Sequence, residues 1–123
     1  MGLFSSSSSS FPWKELISTQ QLTEIIASST DVPVLIFKHS TRCSISSMVK
    51  SQFERKWNVS EAACEIYYLD LIAHRDVSNE IENITKVVHQ SPQAIVIKNG
   101  EVIYQDSHNG IDAEQIASIL TNN

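Results

Sequence analysis

The stretch VLIFKHSTRCSISSM, residues 34–48, passes from a continuous apolar run into a helical pattern. Val34–Phe37 is apolar at every position, which is typical of a strand covered on both faces of a sheet. From about residue 43 to residue 57, apolar side chains recur at intervals of three and four, which predicts an amphipathic helix. A central strand therefore leads directly into a helix, and Cys43 stands at their junction.

The apolar residues of this helix define its expected buried face. We place five of them there: Ile45, Met48, Val49, Phe53 and Trp57. The opposite face then carries Cys43, Ser46, Ser47 and Lys50.

Local signals predict further elements on both sides of this unit. Ser18 and Gln21 form a capping box for a helix that begins near residue 19, and an early strand fits within residues 13–17. After the central helix, Ile66–Leu69 has the composition of a second strand. Asp76 then caps a helix whose apolar face holds Val77, Ile81, Ile84 and Val88.

The last third of the chain predicts a hairpin and a helix. Asn99-Gly100 separates two apolar runs, and both residues tolerate the positive φ of a tight hairpin turn. Asp112 and Gln115 form a second capping box, which begins a final helix with Ala117 and Leu120 facing inward.

The order of these elements determines the expected fold class. A β-α-β unit followed by α-β-β-α gives an α/β protein with a mixed central sheet and helices on both faces, which is the thioredoxin-like arrangement. We expect residues 1–12 to be a disordered Ser-rich tail and residues 13–123 to be a single domain.

Composition excludes several classes of function. The chain has 123 residues, 41% of them hydrophobic, and lacks the roughly 18-residue apolar run of a transmembrane helix. Its net charge of -5 argues against general binding of nucleic acid. The two cysteines, Cys43 and Cys64, form no zinc motif or disulfide framework. We therefore expect a cytoplasmic monomer without membrane association or a bound cofactor.

Cys43 has the surroundings of a reactive thiol. At the first turn of a helix, unpaired N–H groups and the helix dipole favour a thiolate, and Lys38, His39 and Arg42 add positive potential. Ser46 follows three residues later, where its hydroxyl could donate to the sulfur, but it cannot resolve a mixed disulfide. The alternative interpretation is that Cys43 is one small buried residue, as such cysteines often are.

A second segment adds to the case for chemistry. Pro92 stands just before an apolar run, and a proline there belongs at a strand start or in a turn, where the Ser91–Pro92 bond could be cis. His89 could face Cys43, or it could only cap its helix. Cys64, among small residues before a strand, is interpreted as a buried structural thiol, and His108 as structural.

These segments carry a family resemblance. The motifs Arg42–Ser46 and His89–Gln93, with Ser107-His108, resemble the monothiol bacilliredoxin family, the YtxJ-like proteins of the bacillithiol system, over roughly residues 13–121. The resemblance implies a thioredoxin-like fold and exchange with bacillithiol mixed disulfides. It makes Cys43 the nucleophile, Ser46 the replaced resolving position and Pro92 the cis-proline. Ser44 departs from the family's T-C-P form.

The leading hypothesis is a monothiol thiol-disulfide oxidoreductase that removes bacillithiol from proteins. Bacillithiol would be the thiol co-substrate, and bacillithiol-modified proteins would be the partners. The predicted substrate-binding residues are Lys38, His39, Arg42, His89, Ser91 and Pro92. A non-enzymatic alternative uses Cys43 to hold an iron–sulfur cluster between subunits, and an inert structural domain is a third.

Overall fold

A computed structural model describes residues 11–40, 44–60 and 62–122. The strands are β1 Lys14–Glu15, β2 Val34–His39, β3 Glu65–Asp70, β4 Gln93–Lys98 and β5 Glu101–Ser107. The helices are α1 Thr19–Ser28, α2 Ser44–Lys56, α3 Arg75–Thr85 and α4 Ala113–Asn122, with a short 3₁₀ turn at His108–Gly110. The predicted tail falls mostly on residues 1–10, which lie outside this description. Phe11, which we assigned to that tail, packs on Trp13 with ring centroids 5.1 Å apart.

The five strands form one mixed sheet in the order β1-β3-β2-β4-β5. Strands β1, β3 and β2 run parallel, while β4 is antiparallel to β2 and to β5. Strand β2 lies at the centre and all six of its residues are buried, as its apolar run predicts. The expected α/β class and the thioredoxin-like arrangement are confirmed.

Helices cover both faces of the sheet. Successive side chains of β2 point to opposite faces, and each face packs into its own core. Val34 and Ile36 point into the core that α1 and α3 cover. Leu35 and Phe37 point into the core that α2 and α4 cover. The side-chain parity of β2 therefore decides on which side of the sheet each polar residue at its end will lie.

The predicted caps and the hairpin turn are mostly present. Ser18 Oγ accepts a hydrogen bond from the backbone N–H of Gln21 at 3.1 Å at the start of α1. Asp112 Oδ1 accepts the N–H groups of Glu114 and Gln115 before α4. The hairpin turn has positive φ at its two central residues, Asn99 at 56° and Gly100 at 75°.

The prediction for α3 is wrong at both ends. Its N-cap residue is His74, without a side-chain cap, and Asp76 lies in the first turn of the helix. The helix ends at Thr85, where Lys86 takes the left-handed conformation, so Val88 lies beyond it and is 67% exposed. The apolar periodicity of the sequence continues to Val88, although the helix itself ends at Thr85. None of the described helices has the length and hydropathy needed to cross a membrane.

The predicted buried face of α2 is also wrong in part. Val49 and Phe53 are buried as expected, but Ile45 and Met48 are 57% and 51% exposed. Ser46, which we placed on the outer face, is fully buried. The inward-facing residues of α2 therefore begin with a polar one, because a polar side chain at the end of β2 contacts it.

Candidate active site

The candidate site lies where β2 ends and α2 begins. His39 is the last residue of β2, and Ser44 is the first residue of α2. Cys43 and Arg42 stand between them in the sequence and lie outside the described residues.

His39 and Ser46 form a buried pair across the connection. His39 Nδ1 lies 2.6 Å from Ser46 Oγ, and the backbone N–H of Ser40 donates to the same oxygen at 3.3 Å. His39 is 4% exposed and Ser46 is fully buried. The pair joins the end of the central strand to the first turn of α2, and it explains why a serine occupies the inner face of that helix.

His39 is held in its neutral form. Burial lowers the pKa of its imidazole, and the nearby charge of Lys50 lowers it further. The carboxylates of Asp70 and Glu54 oppose this shift but do not reverse it. The ring also lies 5.6 Å from that of Tyr68. The neutral imidazole of His39 carries a single N–H proton, on one of its two ring nitrogens.

The loop before β4 lies at the same end of the sheet as His39. Lys38 is the register partner of Gln93, so Pro92 comes next to the end of β2, at about the level of His39. The Ser91–Pro92 peptide bond is cis and Pro92 is buried. The backbone N–H of His108 donates to the carbonyl of Pro92 at 2.9 Å.

Lys38 lies beneath the sheet on the side of α1 and α3. It is fully buried, and its Nζ has no hydrogen-bond partner among the described residues. Burial lowers its pKa to about 8, although the carboxylate of Glu82 works in the opposite direction. A role of Lys38 in substrate binding would therefore be exerted through its charge, since the residue presents no exposed surface.

His89 and Ser91 occupy the same loop with different surroundings. His89 is exposed, and its Nδ1 lies 3.3 Å from the hydroxyl of Ser78 on α3. Partial desolvation of its ring lowers the pKa of His89, and the charges of Lys38 and Arg75 lower it further, while Glu82 opposes the shift. Since α3 ends at Thr85, His89 does not cap that helix. Ser91 Oγ is buried without a partner among the described residues.

Sequence reasoning missed Gln93 as the residue that holds this loop. Its side-chain amide donates to the carbonyl of Val88 at 3.0 Å and accepts from the N–H of Gln90 at 3.4 Å. It is 1% exposed. The sequence signal that could have identified this residue is a polar side chain at the start of a strand, followed by four apolar positions.

Cys64 lies at the far end of the sheet from His39. It immediately precedes β3, and the N–H of its neighbour Glu65 bonds to the carbonyl of Pro33 at 3.0 Å. At about 3.3 Å per strand residue, six residues along parallel strands separate Cys64 from the level of His39 by about 20 Å. Cys64 is 1% exposed, and burial raises its pKa to about 12. The expectation of a buried thiol is confirmed.

Comparisons with known proteins agree with this architecture. A structure provisionally described as an oxidoreductase with a thioredoxin fold shares 33% identity, with a TM-score of 0.72, covering 85% of this chain and 89% of the other. The thioredoxin Mala s 13 of Malassezia sympodialis has 18% identity and a TM-score of 0.67, covering 89% of each chain. The thioredoxin of Trypanosoma brucei brucei has 12% identity and a TM-score of 0.68, covering 95% and 98%. At such low identity, the two thioredoxins show the fold alone.

The sheet order and the two helical layers define a thioredoxin-fold protein, a fold that supports thiol oxidoreductase chemistry in general. Over residues 14–116 the sequence matches the family described as monothiol bacilliredoxin BrxC. The chain belongs to that family, as its motifs had indicated.

Proposed function

We propose that the protein removes bacillithiol from mixed disulfides on other proteins, with Cys43 as the nucleophile. The family and the fold support thiol-disulfide chemistry in general. The observation that carries the monothiol form of the cycle is the position of Cys64. The chain has only two cysteines, and Cys64 is buried about 20 Å along the sheet from His39. Serine at position 46 and the burial of Cys64 therefore support a cycle in which an external thiol releases Cys43.

The proposed cycle has two exchange steps. The Cys43 thiolate attacks the bacillithiol sulfur of the modified protein, the original disulfide breaks, and the protein leaves as a thiolate that takes a proton. The thiolate of a second bacillithiol then attacks the bacillithiol sulfur on Cys43. This step releases bacillithiol disulfide and returns Cys43 as thiolate. Overall, the disulfide bond passes from the protein to bacillithiol: the protein sulfur becomes a thiol, one free bacillithiol is oxidised, and both bacillithiol groups leave as bacillithiol disulfide.

The described part of the site supports these steps in two ways. Buried His39 and Ser46 fix the first turn of α2, directly after Cys43 in the sequence. The Pro92 loop comes to the same edge and is held by Gln93 and by the backbone of His108. We expect the reaction in the cytoplasm, where low-molecular-weight thiols keep cysteines reduced.

Intact-mass spectrometry tests the proposal. Reduced protein is exposed briefly to bacillithiol disulfide and to a bacillithiolated test protein, and the adduct site is mapped. We expect one bacillithiol adduct on Cys43, cleared by free bacillithiol. The Cys64→Ala variant should behave like the wild type, and Cys43→Ala should form no adduct.

Two outcomes would overturn the proposal. One is slow labelling of Cys43 and Cys64 at equal rates. The other is a visible iron–sulfur absorbance that depends on Cys43 in protein purified without oxygen, together with no exchange activity. The second result would favour the cluster-binding alternative.

A further inference from the structure

The outward side of α2 carries one continuous row of exposed side chains. Ile45, Met48, Gln52 and Arg55 follow one another at intervals of three and four, so they lie along one side of the helix. Exposed Lys56, four positions after Gln52, borders this row. At 1.5 Å per residue, the row is about 15 Å long from Ile45 to Arg55. We call these five residues the outer stripe of α2.

The start of the outer stripe is apolar and close to the proposed nucleophile. Ile45 and Met48 are neighbours on the helix surface and are 57% and 51% exposed. Ile45 follows Cys43 by two positions, so chain length alone keeps their Cα atoms within about 7 Å of each other. A protein joined to Cys43 through a disulfide therefore brings its own surface within reach of this apolar pair. Removing the pair from water would favour that complex.

The end of the outer stripe is basic. Arg55 and Lys56 are exposed in the last turn of α2, and neither has an ion-pair partner among the described residues. The one acidic residue of the helix, Glu54, is occupied by Lys50 Nζ at 2.7 Å and by the indole N–H of Trp13 at 2.6 Å. Of the four described helices, α2 alone has more basic than acidic residues. Since the chain has a net charge of -5, α2 presents positive charge on an acidic protein.

The outer stripe also borders a cavity. Gln52 and Lys56 line one side of a space of about 190 Å³, and the segment His108–Ala113 before and at the start of α4 lines the other. Asp112 belongs to this lining, but its Oδ1 accepts backbone N–H groups of α4. A segment that lies along the outer stripe therefore has a recess for one of its side chains next to the basic end.

We propose that the outer stripe is the docking surface for the bacillithiolated protein. It selects a partner segment with an apolar side chain beside the modified cysteine and acidic side chains about 15 Å further along. This inference rests on the proposed function, because it names the chemistry of the protein substrate in that cycle. An acidic segment is attracted to the basic end of α2 and repelled by the acidic helices, which orients it along the stripe.

Bacillithiolated peptides test the basic end of the stripe. An acidic peptide has leucine beside the modified cysteine and a run of glutamates about five residues further on, since an extended chain covers about 15 Å in that length. A neutral peptide has glutamines instead. We expect the wild type to remove bacillithiol about fivefold faster from the acidic peptide at low salt, and the preference to vanish near 0.5 M salt, about the ionic strength that screens exposed charges. Arg55→Gln/Lys56→Gln should abolish it.

A matched variant separates docking from net charge. Arg75→Gln/Lys86→Gln removes the same charge from exposed residues of α3 and its cap, on the opposite face of the sheet, and should keep the preference. Both double variants should react equally fast with bacillithiol disulfide, which has no protein segment to dock. Circular dichroism confirms that each is folded, and the salt dependence of the wild type needs no variant.

A third peptide tests the apolar start of the stripe. It has serine in place of the leucine beside the modified cysteine. The wild type should prefer the leucine peptide by about threefold, and Met48→Ser should lose this preference. Ile17→Ser provides the control, because Ile17 is 53% exposed and precedes α1, away from α2.

Equal rates of the wild type with the acidic and neutral peptides would refute the inference alone, since bacillithiol is still removed. A preference that both double variants lose equally would also refute it, because net charge would then be the cause. Sedimentation that shows a dimer, dissociated by Met48→Ser, would assign the outer stripe to a second copy of this chain instead. Failure of the proposed function gives a different result, in which no peptide loses bacillithiol, and it would overturn both proposals.

Discussion

At the scale of single residues, Lys38 is the most unusual feature of the protein. Its ammonium group is fully buried beside the central strand and has no hydrogen-bond partner among the described residues. Taking a charge out of water without a paired partner costs free energy, and the lowered pKa of about 8 expresses this cost. At neutral pH Lys38 therefore lowers the stability of the fold. Its charge acts on the Pro92 loop, where it depresses the pKa of His89.

Replacing Lys38 by Met should therefore stabilise the protein near pH 7. The side chain keeps its length and loses its charge, and we expect a gain of about 1–3 kcal/mol in the free energy of unfolding. The folded pKa lies below the unfolded value of 10.5, so the unfolded chain binds the extra proton between about pH 8 and pH 10.5. The wild type thus becomes more stable relative to the variant as pH rises through that window.

Urea unfolding at pH 7 and pH 9.5 measures this difference. The gain from Lys38→Met should be largest at pH 7 and clearly smaller at pH 9.5. Exposed Lys56 provides the control, because Lys56→Met should change stability by less than about 0.5 kcal/mol at either pH. A gain that is equal at both pH values would show that charge burial is not its cause.

At the scale of secondary-structure elements, α2 decides the geometry of the site. Its inner face consists of Ser46, Val49 and Phe53, while the apolar pair Ile45 and Met48 faces outward. Phe53 packs against three aromatic rings, those of Trp13, Phe37 and Trp57, at centroid distances of 5.8, 5.5 and 5.1 Å. The helix is thus anchored in its C-terminal part by aromatic contacts and in its first turn by a hydrogen bond.

Truncating the two faces of α2 to alanine should have very different effects. Phe53→Ala removes a buried ring and should cost about 3–5 kcal/mol of unfolding free energy. Met48→Ala removes a half-exposed side chain and should cost less than about 1 kcal/mol. Chemical denaturation of both variants gives the comparison. Similar losses in the two variants would contradict the orientation of α2 described above.

The elements themselves were largely predictable from the sequence, because their signals are local. The capping serine and aspartate, the Asn99-Gly100 turn and the apolar run of β2 each act within a few residues. The rotation of α2 was not predictable in this way. Two overlapping apolar stripes compete on that helix, and the choice between them depends on His39, a residue seven positions earlier that needs a polar partner. The sequence predicted which residues belong to the candidate site but not where their side chains lie. The burial of Lys38, for example, depends on how side chains alternate along β2 in the folded sheet.

At the scale of the whole molecule, Cys64 lies far along the sheet from the end of β2. Cys43 belongs to the connection after β2, and Cys64 lies at the opposite end of the parallel strands. Because Cys64 is 1% exposed with a raised pKa, its reaction requires that the fold open. The rate at which Cys64 reacts with a thiol reagent therefore measures how readily the fold opens.

In a Cys43→Ala variant, Cys64 should resist thiol reagents in native buffer. We expect its reaction with Ellman's reagent at pH 8 to be at least about a thousandfold slower than in 6 M guanidinium chloride, where one thiol should react at once. The double variant Cys43→Ala/Cys64→Ala gives the blank. Rapid labelling of Cys64 in native buffer would show that this end of the sheet opens locally.

The outermost strands bear on how the protein behaves at high concentration. β5 has seven residues and pairs on one side only within the described sheet, so its other side presents backbone groups that could recruit a strand of another molecule. Charged Glu101 and Asp106, together with the irregular register near Val96 and Ile97 of β4, oppose such pairing. At the other margin, β1 has only two residues. Both outermost strands therefore carry features that disfavour pairing with a strand of a second molecule.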